Sequence, residues 1–147
     1  MKTLQLLIVC CFVTLFSFAN VSNSEKEALI SLYNATQGDQ WNNSWDLNSA
    51  IDTWYGITIV DEKVVEINLS FNNLQGTLPN DIGNLVYLQK MNLGFNKLSG
   101  TLPASIGNLK ALASLELFMN KFEGDIPKEV GNLNQLEILK LYSNGFT

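Results

Sequence analysis

Histidine and arginine are absent from this chain, and its two cysteines, Cys10 and Cys11, sit side by side near the N-terminus. Each absence excludes a class of chemistry. Residues 20–147 hold neither His nor Cys, so they cannot assemble the common nucleophile–base pairs or a metal site built on imidazole or thiolate. They cannot form a disulfide either, so stability must come from packing and backbone hydrogen bonds. An arginine-free chain with 14 acidic residues against 9 lysines is a poor partner for phosphate backbones or anionic lipid surfaces. Neither a nucleic-acid partner nor a cofactor is expected. Proline is scarce too: Pro79, Pro103 and Pro127 are the only three, and they stand at a constant interval.

What is present divides the chain into three stretches. Met1-Lys2-Thr3 is followed by an apolar run from Leu4 to Ala19 and then by the polar "NVSNSEKE". One positive charge, a run shorter than the roughly 20 residues of a spanning helix, and small residues at its end predict a secretory signal peptide over 1–19. Cleavage after Ala19 would leave 8 lysines against 14 acidic residues, a net charge of −6. A lipid anchor on Cys10 or Cys11 is disfavoured, because Val9 and Cys10 are not the small residues such an anchor needs before it. The expectation is a secreted or cell-surface protein with no membrane insertion after cleavage.

From Val64 onward the chain repeats itself every 24 residues, with "GTLPNDIGNL", "GTLPASIGNL" and "GDIPKEVGNL" marking three units. Apolar residues recur in columns: Val64, Leu88, Leu112, Leu136; Ile67, Met91, Leu115, Leu139; Leu69, Leu93, Leu117, Leu141. A period of this length marks a solenoid whose coils stack on one another. Within a coil the spacing of two at 67 and 69 is that of a strand, so these side chains share an inward face. The column Asn72, Asn96, Asn120, Asn144 follows each strand. An inward polar side chain is costly unless bonded, so these amides are expected to satisfy the backbone where the chain turns. Gly76, Gly100 and Gly124 suit positive φ, the prolines an extended segment, and "IGNL" a short 3₁₀ or irregular turn. Parallel strands should line a concave side and loops the other. The fourth unit stops at Thr147, leaving Leu136, Leu139, Leu141 and Phe146 with one uncovered edge, so a longer repeat protein or self-association through this end is expected.

These units match L-x-x-L-x-L-x-x-N-x-L followed by G-x-[LI]-P-x-x-[IV]-G-N-L, and residues 64–147 therefore resemble leucine-rich repeats of the 24-residue plant-type subclass. The resemblance implies an α/β solenoid: a right-handed superhelix with a parallel concave β-sheet and an N-terminal helical cap. It also implies a binding module, since such repeats occur in receptors and secreted inhibitor proteins.

Residues 20–63 fall outside the period, as a cap should. Ser24 with Glu27 three residues on has the form of a capping box; Leu29, Leu32 and Tyr33 share a helical face, and Gly38 is placed to end the helix. Trp41, Trp45 and Trp54 follow, fit to cover the open end of the first coil, or else to form a carbohydrate platform. "DTWYGITI" resembles the cap segment that usually lies between two cysteines, with Asp52 and Ile59 where those would stand. The cysteine-free form is similar to caps of secreted or surface repeat proteins of bacteria, Bacteroidetes-like members among them.

Chemistry is thinly supported. Glu66 and Glu116 on the strand face are the one conceivable carboxylate pair, and their alternation with lysines and amides reads as a solvated surface. Neither "DLNSAID" nor "VDEK" has the ligand spacing of a calcium loop. The chain is not expected to be an enzyme. The sharper candidate is a ligand-binding set on outward strand positions: Phe71, Phe95, Phe118, Met119 and Tyr142, large side chains in adjacent columns. Two readings stay open for them, recognition of a protein, peptide or glycan, or a ladder in which each ring packs on its neighbour. A structural or adhesive spacer is the competing function. An ice-binding polar ladder begins at Thr77 and Thr101 but breaks at Asp125.

Overall fold

The computed structural model describes residues 21–147, so the expected signal peptide lies outside the described residues. The chain opens with helix α1 (Asn23–Ala35), which buries Ala28, Leu29 and Leu32. Its N-cap is Ser22, two residues before the position read from the sequence: the Ser22 hydroxyl accepts from the Glu25 N–H at 3.3 Å and donates to Glu25 Oε2 at 2.7 Å. Two overlapping S-x-x-E patterns compete here, and a long-range contact decides between them. The buried Glu25 carboxylate also accepts the Val64 N–H at 3.1 Å, tying the helix to the first coil. The other end differs from expectation as well. Thr36 caps the helix, bonding Leu32 O through both its N–H and its hydroxyl, and Gln37 takes the left-handed conformation. Gly38 instead begins a 3₁₀ turn beneath the Tyr33 ring.

The three tryptophans are buried and pack together, Trp41 edge-on to Trp45 at 4.9 Å and Trp45 stacked on Trp54 at 4.7 Å. Each indole N–H donates to a backbone carbonyl, of Thr36, Tyr55 and Asp46 in turn. Buried rings with satisfied N–H groups form a plug over the first coil and leave no sugar platform.

The solenoid's main sheet has five strands in the order β1 (Ile57–Val60), β2 (Lys63–Asn68), β4 (Lys90–Asn92), β6 (Ser114–Glu116) and β8 (Ile138–Lys140). All pairings are parallel except β1–β2, an antiparallel hairpin whose turn residues Asp61 and Glu62 both have positive φ, as a two-residue type I′ turn requires. Neither the hairpin nor a second sheet was expected from the repeat. That second sheet runs β3 (Gln75–Gly76), β5 (Lys97–Gly100), β7 (Lys121–Gly124) and β9 (Gly145–Phe146), parallel throughout, where loops alone were anticipated. The extended prolines then lead into 3₁₀ turns at Asn80–Asn84, Ala104–Asn108 and Lys128–Asn132.

Between the sheets and these turns lies the core. Val64, Leu88 and Leu112, with Ile67, Met91 and Leu115 and with Leu69, Leu93 and Leu117, are fully buried. Full burial of each such side chain stabilises by about 1.5–3 kcal/mol. The column fades in the fourth coil, where Leu139 is 45% exposed.

The asparagine column staples coil to coil. Asn96 Oδ1 accepts the N–H of Asn72 (3.1 Å) and of Leu74 (3.0 Å) in the preceding coil, and its Nδ2 donates to Leu69 O and Leu93 O, both at 2.9 Å. Asn120 and Asn144 repeat both carbonyl bonds one coil on each time and accept one N–H of the preceding coil, that of Leu98 and of Phe122. Asn72, with no coil before it, receives the Asn43 N–H of the cap at 2.7 Å.

Candidate functional site

Three residues beyond the end of each parallel strand of the main sheet stands a left-handed residue. Phe71, Phe95, Met119 and Ser143, one residue before each column asparagine, have φ between 54° and 57°. Left-handed backbone disfavours large side chains, so the turn, held by the asparagine below, imposes it. The effect is to swing Phe71 and Phe95 outward at the end of the strands.

Four of the five expected site residues join in one ladder. Phe71 and Phe95 stack at 3.9 Å between centroids and 16° between planes; Phe95 meets Phe118 edge-on at 5.1 Å; Phe118 and Tyr142 stack at 5.1 Å. The ladder changes column between the second and third coils, from the residue one before the asparagine to the residue two before it. Gly94 permits the change: a Cβ there would lie 2.6 Å from the Phe118 ring. Met119 occupies the column that Phe118 leaves, 42% exposed, and adds no ring to the stack. Exposure is greatest at the ends, 63% at Phe71 and 59% at Tyr142, against 39% at Phe95. The packing-ladder alternative is thus realised in part: the facing surfaces within each stacked pair are consumed, while the outer faces of Phe71 and Tyr142, one face at the edge-on Phe95–Phe118 contact and the ring edges have no ring against them.

Beside the ladder, on the outer face of the main sheet, lies a depression of about 280 Å³ lined by Glu66, Asn68, Lys90, Asn92, Ser114, Glu116 and Ile138, with Met91 at its floor. In-register pairing sets Glu66, Lys90, Ser114 and Ile138 in one row and Asn68, Asn92, Glu116 and Lys140 in the next. The sequence signal for the first row was its place two residues before the outward asparagines, a column passed over in favour of the aromatics. Lys140 Nζ pairs with Glu116 Oε2 at 2.8 Å and lies 5.8 Å from the centre of the Phe118 ring. The hydrogen bond to Glu116 holds the Lys140 ammonium above its ordinary pKa. The other Glu116 oxygen accepts the Ser114 hydroxyl at 3.2 Å. Both Glu116 oxygens are therefore engaged, and Glu66 stands two strands away, so the pair is not arranged for glycoside hydrolysis. Among the described residues no cluster of acidic side chains could hold a metal ion, and no helix is long and apolar enough to cross a membrane.

The leucine-rich repeat family model matches residues 63–85 and 87–109. The structure is similar to that of the PEPR1–AtPEP1 complex, with a TM-score of 0.75 and 33% identity over 85% of this chain and 18% of the matched one. The chain is a leucine-rich repeat protein. Its repeats and cap also resemble the leucine-rich repeat ectodomain of the receptor kinase SOBIR1 from Arabidopsis thaliana (TM-score 0.71, 25% identity, 86% of this chain and 70% of that one). The plant peptide hormone receptor RGFR1 in complex with RGF2 is similar over a shorter stretch (TM-score 0.50, 39% identity, 50% of this chain and 12% of that one). This leucine-rich repeat chain therefore spans less than a fifth of the PEPR1–AtPEP1 chain it matches. No curated protein matches the sequence.

Proposed function

We propose that this leucine-rich repeat chain is an exported, non-catalytic binding module that recognises a polypeptide across the depression and the adjoining aromatic ladder. The observation that carries the reading is their continuity: polar rows from Glu66 to Lys140 pass directly into exposed aromatic edges, the mixture typical of protein interfaces. The stacked rings argue against a glycan, because sugar binding uses open ring faces and most of the faces here lie against a neighbouring ring. The RGFR1–RGF2 likeness supports a peptide ligand, and the SOBIR1 ectodomain likeness supports a secreted or surface location, as does the apolar run over residues 4–19. The competing reading is a spacer in a larger envelope protein.

Selection of a displayed peptide library on the immobilised chain separates the two. Enriched clones should lose binding on Phe95→Ala and on Phe118→Ala while both variants still unfold cooperatively, since interface energy concentrates in a few large side chains. Enrichment of nothing, or clones indifferent to both changes, would leave the spacer.

A further inference from the structure

The depression holds a pair of hydrogen-bond donors that no described residue uses. Asn92 Oδ1 accepts the Gly94 N–H at 3.0 Å, and Asn68 Oδ1 accepts the Ser70 N–H at 3.4 Å and its hydroxyl at 3.0 Å. A backbone N–H can only donate, so these bonds settle which end of each amide is the oxygen. Both NH₂ groups are thereby turned away from the turn, and neither finds a partner among the described residues. Asn68 and Asn92 are register partners on adjacent strands, so their donors repeat at the inter-strand spacing of about 4.8 Å. That spacing lets one donor reach each oxygen of a single carboxylate. Lys90, exposed and next to Asn92 in the row before, lines the depression and forms no ion pair among the described residues; the other lysine nearby, Lys140, belongs to Glu116. Glu66, in register with Lys90, opposes an anion.

We infer that Asn68, Asn92 and Lys90 form a carboxylate-binding subsite for the polypeptide ligand, a conclusion that rests on the binding reading above. Two amide donors and an ammonium supply charge-assisted hydrogen bonds to one planar anion, about twice as strong as their neutral counterparts. Phe118 and Tyr142 follow Glu116 and Lys140 by two residues along the chain, so an apolar or aromatic residue of the same ligand falls on the far side of the Glu116–Lys140 pair.

The test is NMR of the side-chain amides in the full chain, titrated with three probes. Acetyl-Phe-Gly-Glu-amide offers a side-chain carboxylate, acetyl-Phe-Gly-Gly a chain-terminal one, and acetyl-Phe-Gly-Gln-amide neither. At least one carboxylate probe should shift the Asn68 and Asn92 NH₂ resonances saturably, about tenfold more tightly than the neutral probe. Which of the two does so identifies the source of the anion. Lys90→Gln should weaken that binding several-fold. Asn92→Asp keeps the acceptor for Gly94 but removes the donors, and should abolish it. Glu66→Gln, which removes the opposing charge, should strengthen it. Equal binding of the neutral probe, or a Glu66→Gln variant that binds more weakly, overturns the subsite. So does the lack of any saturable shift at Asn68 and Asn92; shifts confined to the Phe71–Tyr142 ladder would then leave the binding surface standing without it.

Discussion

Asn96→Ala is the substitution whose cost the structure specifies most closely. Its carboxamide bonds five backbone groups, but not all of them would be stranded. Leu93 O keeps its bond from Asn120 Nδ2, and Gly94 O keeps the Phe71 N–H. Three groups lose their only partner: the N–H of Asn72, the N–H of Leu74 and the carbonyl of Leu69, all in residues shut off from water. A buried group left bare costs about 1–3 kcal/mol, and some relief comes from water entering the space left by the amide, so the expected loss is about 3–5 kcal/mol. Asn144→Ala is the internal control. There Leu117 O keeps its bond from Asn120, Tyr142 O keeps the Met119 N–H, Leu141 is only half-buried, and the Phe122 N–H alone is stranded in the core. Its expected cost is about 1 kcal/mol.

Urea unfolding followed two ways reads both numbers. Trp41, Trp45 and Trp54 all lie in the cap, so fluorescence reports the N-terminal end, while circular dichroism reports the whole stack. Asn96 joins the first coil to the second, and its removal should move both transitions; Asn144→Ala should move chiefly the dichroism, since coils interact with their nearest neighbours. An Asn96→Ala loss below about 1 kcal/mol, or a loss no larger than that of Asn144→Ala, would refute the argument from stranded groups.

Three further outcomes follow from single contacts. Glu25→Gln should lower stability by about 1–2 kcal/mol, because an amide cannot accept from both Ser22 and Val64 as the carboxylate does; urea melts check it. Gly94→Ala should push the Phe118 ring out of the ladder and change the near-ultraviolet dichroism of Tyr142, and adding Phe118→Ala should restore the stability lost. The Lys140–Glu116 pair contributes fully below the ordinary lysine value of 10.5 and is lost as pH rises through the raised one; in Glu116→Gln an NMR titration of Lys140 should return to the ordinary value.

The solenoid could be read from the sequence because its core is columnar: a residue such as Leu93 has a counterpart 24 positions away in an equivalent site, so a burial pattern ambiguous in one coil is repeated until it is not. The asparagines were readable for the same reason. What escaped depended on contacts between coils rather than within one. The strand Lys97–Gly100 has no strong strand pattern of its own and exists because its partners lie one coil away in β3 and β7. The capping box was misplaced by two residues because the deciding partner, Val64, is far off in sequence. At the candidate site the aromatic columns and a ladder of packed rings were both readable, but the ladder's change of column and its geometry were not, since they turn on Gly94 and on a left-handed backbone that no local propensity of phenylalanine predicts. The amide donors of Asn68 and Asn92 were hidden for a simpler reason: only the structure shows which half of each amide is already spent.

The ladder also raises a question that stability alone does not answer. Holding phenylalanine in the left-handed region costs about 1 kcal/mol, and a stacked aromatic pair returns about 0.5–1.5 kcal/mol. At Phe71 the two nearly cancel: it sits at φ 56°, has one ring neighbour, Phe95, and is 63% exposed, so it has little burial to add. Asparagine tolerates this conformation far better and would forgo the stack. Phe71→Asn is therefore expected to change stability by less than about 1 kcal/mol in a urea melt. If folding were the ladder's whole purpose, that substitution would be silent in every assay. If the ladder recognises a ligand, the same variant should melt normally and lose binding to the library-selected peptides, because it removes the most exposed aromatic surface of the set. A Phe71→Asn protein that melts early would show that the stack does more for the fold than its geometry implies. One that melts normally and binds normally would confine recognition to Phe95, Phe118 and Tyr142.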